Sequence, residues 1–217
     1  MRHICRLCAG LVAAIVLAGC TPPEKADYTA FKQSRPRSIL VLPPLNESPD
    51  VKATYGVYAA VTQPLAEAGY YVLPVALVDE TFKQNGLANA GEINTVPAAK
   101  LRQIFGADAA MYVTVTEYGT SYQVIASATV VAAKAQLVDL KTGATLWTGS
   151  AAASSNEGQG ASGGLIGILV TAAVTQIVNS ATDAGDAIAP ITTARLLSGG
   201  LPNGILYGPR SPKYGSD

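Results

Sequence analysis

Between Ala110 and Ala152 the chain alternates apolar and polar residues over long stretches, and this most restricts what it can fold into. From Ala110 to Glu117, Met111, Val113 and Val115 fall on one side, and Tyr112, Thr114 and Thr116 on the other. That is the pattern of a strand with one face buried and one wet. Tyr118-Gly119-Thr120-Ser121 reads as a turn. Tyr122 to Leu140 reads as a second, longer strand. Its apolar set changes parity, from Val124, Ala126, Ala128 and Val130 to Ala133, Ala135 and Leu137. A period-2 pattern changes face only through an extra residue, so a β-bulge is predicted near Val130 to Ala132. Asp139-Leu140-Lys141-Thr142-Gly143 is a hairpin signal, with Gly143 at the position needing positive φ. Ala144 to about Ala152 returns as the partner strand.

The first half has a different rhythm. Ser38 to Leu42 is a continuous apolar run closed by Pro43-Pro44, as in a strand buried on both faces. Leu45 to Asp50 reads as a loop, and Ser48-Pro49 as an N-cap with proline at the first helical position. The helix then runs to about Ala68, is kinked by Pro64, and ends at Gly69. Tyr70 to Val75 is a second strand, so this half is a parallel βαβ unit. A helix over Leu77–Asn85, a polar connection over Gly86–Val96, and a helix over Pro97–Phe105 follow. Leu101, Ile104 and Phe105 make the apolar face of the last. Leu165 to about Ser180 and Asp186 to Leu197 read as helices. The fold class predicted is a single α/β (α+β) domain: a mixed sheet of about five strands, a parallel βαβ half feeding an antiparallel meander, with helices packed on the sheet.

The N-terminus carries a second strong signal. Arg2, His3 and Arg6 precede a short apolar run, Leu7 to Ala18, which ends at Leu17-Ala18-Gly19-Cys20. Basic start, apolar centre and small residues before a cysteine read as a lipoprotein signal peptide, with Cys20 the lipidated first residue. Acyl chains at roughly 0.8 kcal/mol per buried methylene anchor such a chain stably. Thr21, rather than aspartate, follows the cysteine and points to the outer membrane. The expected organisation is 1–19 signal peptide, 20–37 flexible lipidated tether with Pro22, Pro23 and Pro36, 38–197 globular domain and 198–217 irregular tail.

Cleavage before Cys20 has a chemical consequence. The only histidine, His3, and two of the three cysteines leave with the signal peptide. A mature chain without histidine or free thiol has no Ser-His-Asp or Cys-His nucleophile. Nor has it a His- or Cys-ligated zinc site or a disulfide. Thirteen basic residues then stand against fifteen acidic ones, with no basic run, so nucleic acid is not expected as a partner. No cofactor or metal is expected.

Four features deserve weighing as sites. Gly158-Gln159-Gly160-Ala161-Ser162-Gly163 matches the spacing of a dinucleotide fingerprint, with Asp183 twenty residues on. It follows an antiparallel hairpin strand rather than opening a βαβ unit, so a plain loop is expected. Leu165 to Val178 is uncharged and reads as a core helix, with an oligomer interface or membrane contact as alternatives. Asp79-Glu80 and Asp183/Asp186 are the only close carboxylate pairs. They read as solvated acids near helix N-termini, Asp79, Glu80 and Asp186 being favoured there by the macrodipole. In the tail, Tyr207, Arg210 and Tyr214 around Pro209 and Pro212 form a candidate interface.

The lipobox, Ser38 to Ser48 (SILVLPPLNES), Asp139 to Trp147 (DLKTGATLW) and Tyr207-Gly208-Pro209 together resemble an uncharacterised family of bacterial outer-membrane lipoproteins, encoded beside a lipoprotein similar to the curli secretion channel. The resemblance implies a domain similar to the amino-terminal domain of TolB. It implies no catalytic residues. The function expected from it is a non-enzymatic, periplasm-facing accessory or scaffolding subunit of a curli-like secretion or envelope-assembly complex. Its partners would be the membrane, through the lipid anchor, and a curli-channel-like lipoprotein; a homo-oligomer is a further option. A regulator of a peptidoglycan synthase and a carboxylate-dependent hydrolase are the alternatives.

Overall fold

The computed structural model describes residues 26–122, 127–157 and 184–217. Cys20, the glycine motif at 158–163, the segment Leu165–Ser180 and Asp183 lie outside the described residues. Six strands form one mixed sheet: β1 (Ser38–Val41), β2 (Leu45–Asn46), β3 (Tyr71–Val72), β4 (Ala109–Tyr122), β5 (Ser127–Asp139) and β6 (Thr145–Ser154). Their order is β3-β1-β4-β5-β6, with β2 pairing β4. β1 is parallel to both β3 and β4, and β5 is antiparallel to β4 and β6. The mixed α+β fold predicted is therefore the one observed. The difference is β2, expected as loop, which pairs in parallel with Thr114 and Val115.

Seven helices are described: α1 (Thr29–Ser34), α2 (Ala53–Ala60), α3 (Thr62–Glu67), α4 (Val75–Gln84), α5 (Ala90–Ile93), α6 (Ala98–Phe105) and α7 (Ala184–Leu197). The parallel half is covered on both faces. Ile39, Val41 and Met111 pack with Val57, Leu65 and Ile188 on one side; Leu40, Leu42 and Ala110 pack with Val78, Phe82 and Leu101 on the other. Burial on both faces is why β1 reads as an unbroken apolar run. The crossover from β1 to β3 through α2–α3 and the return from β3 past β1 to β4 through α4–α6 step in opposite directions across the sheet, so with one hand they must lie on opposite faces, and they do. Beyond β4 the far face of the sheet carries Tyr112, Thr114, Lys134, Gln136 and Thr148, and alternation appears there for that reason.

The β-bulge lies in β4, not in β5. Register shifts between Val115 and Glu117, leaving Thr116 as the extra residue opposite Ala133 and Ala132. β5 keeps one parity: Thr129, Val131, Ala133, Ala135 and Leu137 are all buried. The parity change belongs to β4, where Met111, Val113 and Val115 are followed by Tyr118 on the same buried face. Strand β4 continues through Tyr118–Ser121, where a turn was expected. Alanines in β5 are small enough to fit either face, so their pattern misled. A second shift sits at Leu146, which lets adjacent Leu146 and Trp147 both enter the core.

Helix ends depart from expectation where side chains find other partners. Ser48 donates through its N–H and hydroxyl to Asn46 instead of capping, and Asp50 accepts from the Lys52 N–H, so α2 begins only at Ala53. Pro64 lacks the N–H that Ala60 O would accept, and the helix splits at Val61. The Thr193 hydroxyl of α7 lies 3.3 Å from that carbonyl, sharing its proton with Pro190 O. Gly69, at φ +101°, ends α3 as predicted. Ile104 is exposed, leaving Leu101 and Phe105 as the packed face of α6; Phe105 stands against Phe82 at 5.2 Å between ring centroids.

The segment read as tether contributes to the body. Phe31 of α1 is 4 % exposed and joins the main core, a burial worth roughly 1.5–3 kcal/mol. The Tyr28 hydroxyl donates to Gly204 O at 2.6 Å, and the Ala26 N–H to Asn203 Oδ1 at 3.0 Å. The ordered domain thus begins inside 20–37.

Candidate functional site

At one end of the sheet the C-terminal tail runs from Trp147 of β6 to the chain entering β3. Ile205 and Leu206 are buried. Tyr70 donates to Leu206 O at 2.6 Å and Trp147 Nε1 donates to Asn203 O at 2.9 Å. Burial holds the Tyr70 phenol well above the usual tyrosine range, so it remains a donor. The Gly208 N–H reaches Ala68 O at 2.8 Å and the Arg210 N–H reaches Gly69 O at 3.0 Å. A Cβ on Gly208 would stand 2.6 Å from Gly69 O, so the two backbones touch where neither glycine has room for a side chain.

This path places the three tail residues singled out above. The Arg210 guanidinium lies over the Tyr71 ring at 5.1 Å, and Lys213 Nζ over Tyr207 at 5.5 Å. Tyr214 is 47 % exposed beside Lys32, Arg35 and Tyr207 in a cleft of about 400 Å³. Tyr207 and Tyr214 share this cleft, and Arg210 faces Tyr71 next to it. Tyr71 and the α1 cations belong to the same surface and were not singled out from sequence, because only the fold brings residues 32–37 against residues 207–214.

A second surface lies between α2, α3 and α7. It is a groove of about 1270 Å³ lined by Val51, Tyr55, Pro64, Ile191, Ala194 and Leu201 among others. Val51 is 87 % exposed and Tyr55 51 % exposed. Asp186, in the first turn of α7, faces this groove and accepts from Tyr118 Oη at 2.5 Å.

The carboxylates do not assemble a catalytic pair among the described residues. Asp79 and Glu80 lie in the middle of α4 rather than at its N-terminus. Asp79 pairs with Lys83 at 2.6 Å and Glu80 accepts from Gln84 at 2.9 Å, both one turn on. Hydrogen bonding to Asp79 and then Tyr55 raises the Lys83 pKa. Asp79 lines a cleft with Glu47 and Asn89 that adjoins the groove holding Asp186 only through Val51 and Tyr55, and the two carboxylates line different clefts. No three His, Cys, Asp or Glu side chains among the described residues are grouped to hold a metal ion. No helix among them is long and apolar enough to cross a membrane.

Fold and surfaces define a small α+β domain whose exposed features are an apolar groove and a basic, tyrosine-rich end. Residues 26–210 match the family described as "Putative lipoprotein GNA1162-like", and the chain belongs to that family. It is 56 % identical over 207 residues to "Putative lipoprotein NMB1124/NMB1162" of Neisseria meningitidis serogroup B, covering 94 % of this chain and 95 % of that one. It is similar to the crystal structure of lipoprotein GNA1162 from Neisseria meningitidis: 58 % identity, TM-score 0.55, covering 66 % of this chain and 99 % of that chain. The C-terminal domain of LpoB from Salmonella enterica overlaps far more loosely, at 19 % identity and TM-score 0.41, covering 54 % of this chain and 82 % of that chain.

Proposed function

We propose that this chain is a non-enzymatic lipoprotein, anchored through Cys20 to the periplasm-facing leaflet of the outer membrane, where it acts as an accessory or scaffolding subunit of a curli-like secretion or envelope-assembly complex. Membership of a lipoprotein family supports the anchor. The observation that carries the reading is the position of Ala26. It is hydrogen-bonded to the body only six residues after Cys20. Six residues reach at most about 20 Å when fully extended. A domain so held works at the surface of its own membrane, which weighs against regulation of a peptidoglycan synthase across the periplasm. The groove between α2, α3 and α7 supplies contiguous apolar surface with tyrosine and arginine at its edge, the composition of a protein contact.

Affinity purification from detergent-solubilised membranes tests this. Recovery of an envelope lipoprotein partner with the wild-type chain, and its loss with Val51→Asp, is expected. Equal recovery with Cys20→Ala in a soluble fraction, or no envelope protein at all, would refute the scaffold reading.

A further inference from the structure

We infer that the end of the domain carrying α1 and the C-terminal tail is a docking face for an anionic phospholipid surface, so that the domain rests on its own membrane in one orientation. The inference rests on the lipid-anchor reading and adds to it which face meets the bilayer.

The first observation is the distribution of charge. Around α1, the β5–β6 turn and the tail stand six exposed cations: Lys32, Arg35, Arg37, Lys141, Arg210 and Lys213. They share one end because β1, β4 and β5 begin or finish there. Ser34 bonds Asp139 at the β5–β6 turn, Asp108 accepts from the Arg37 and Ser38 N–H groups, and Tyr71 N–H donates to Arg37 O. Five carboxylates are nearby. Asp139 is buried, accepting from Ser34, Lys141 and Thr142, and Asp108 is half-buried against Arg37 at 3.8 Å. Asp27, Asp217 and Glu67 are exposed, Glu67 one residue before the Ala68 carbonyl that binds the tail, and Lys32 Nζ donates to Asp217 O at 3.1 Å. Six exposed cations against three exposed anions still leave this end positive. At the opposite end, β2, the β4 bulge and the close of β6 bring up Glu47, Glu117, Glu157 and Asp186, all exposed, with Lys52 and Arg195. The neutral-to-acidic composition conceals a molecule with a basic end and an acidic end.

The second observation is where the chain leaves the body. Ala26 bonds Asn203 on the tail at the basic end, six residues from Cys20. An anchor of at most about 20 Å places that end toward the bilayer. The third is the type of aromatic residue present. Tyr71, Tyr207 and Tyr214 surround the cations, two of them with a cation over the ring. Tyrosine with lysine and arginine is the pairing suited to a headgroup layer, where one part of each side chain is apolar and the other wet. Each basic residue near an anionic leaflet strengthens attachment on the order of fivefold, within a Debye length of about 8 Å.

The test uses the mature chain purified from membranes. Its mass reads the acyl anchor. It is then reconstituted in vesicles of phosphatidylcholine alone or with three parts in ten phosphatidylglycerol, and amide exchange is followed. Expected is about tenfold slower exchange in residues 29–37 and 207–214 with phosphatidylglycerol, lost in Lys32→Glu/Lys213→Glu and at high salt, with the acidic end unchanged. Identical exchange in both vesicles overturns the inference. So does protection of this face seen only in native membranes, since a protein would then be its cover. Should the mass show no acyl chains, the anchor reading fails by itself. Co-sedimentation of the same chain with the same phosphatidylglycerol vesicles, weakened tenfold or more by the double reversal, still decides the docking face.

Discussion

The hydroxyl of Tyr118 in β4 lies 2.5 Å from Oδ1 of Asp186 in the first turn of α7, and the ring between them is clamped by two glycines. A Cβ at Gly56 of α2 would stand 2.3 Å from the Tyr118 oxygen, and one at Gly185 would stand 2.3 Å from ring carbon Cε1. The β4 bulge delivers Tyr118 to this slot, and the glycines let α2 and α7 close on it.

Alanine at Gly185 or Gly56 should therefore destabilise. Inside an exposed helix the change is ordinarily favourable by up to about 1 kcal/mol. Here overpacking opposes it at about 1–3 kcal/mol, and the ring cannot retreat from one glycine without meeting the other. Urea unfolding should show a net loss for Gly185→Ala. In a Tyr118→Leu background the loss should shrink or reverse; an unchanged cost would show that the ring is not the obstacle.

Asp139 makes stability depend on acid. Burial alone would raise its pKa, but bonds from the Ser34 hydroxyl, the Thr142 N–H and hydroxyl and the Lys141 N–H outweigh burial and lower it. A carboxylate with a depressed folded pKa contributes stability above its unfolded value, about 4, and loses it as pH falls through the folded value. The wild-type urea midpoint should fall more steeply than that of Asp139→Asn between about pH 4 and pH 2. At pH 7 Asp139→Ala should cost about 1 kcal/mol by removing the shared acceptor of the Ser34, Lys141 and Thr142 donors, which are only partly buried. Parallel curves for wild type and Asp139→Asn would refute the linkage.

The tail is part of the core, and Trp147 reports it. Trp147 is the only tryptophan in the chain and its indole N–H is bonded to Asn203 O. Deleting residues 203–217 should shift its emission to longer wavelength and lower the melting temperature, since Ile205 and Leu206 leave the core at roughly 1.5–3 kcal/mol each. Gly208→Val should act in the same direction through its clash with Gly69 O. Unchanged emission after deletion would show that the tail does not cover the indole.

The strands were legible wherever burial is one-sided or complete. Ser38–Leu42 shows its two buried faces as an unbroken apolar run, and Met111, Val113 and Val115 show their single one as alternation. The hairpin at Asp139–Gly143 was legible because Gly143 adopts φ +76° and Asp139 caps the turn. Residues of no strong preference concealed the rest. Alanines in β5 fit either face, so the bulge was placed on the wrong strand of the right pair. Tyr28, Ala30 and Phe31 pack on the core, but a run this short gave no helical periodicity by which α1 could be recognised. Tyr207, Arg210 and Tyr214 stood out by type, but Tyr71, Lys32 and Arg35 joined them only through pairing and tail docking.

What neighbouring residues dictate was settled within the sequence: a parallel βαβ half followed by an antiparallel meander, the helix stop at Gly69, and the likeness to a lipoprotein family. What depends on which distant surfaces meet was decided only by tertiary structure. A bulge relocates a face change to whichever strand has a side chain large enough to need it, here Tyr118. A tail docks where Gly69 and Gly208 allow two backbones to touch. Charges scattered over residues 32–213 become a basic end because three strand termini gather them, and no short window of sequence holds that information.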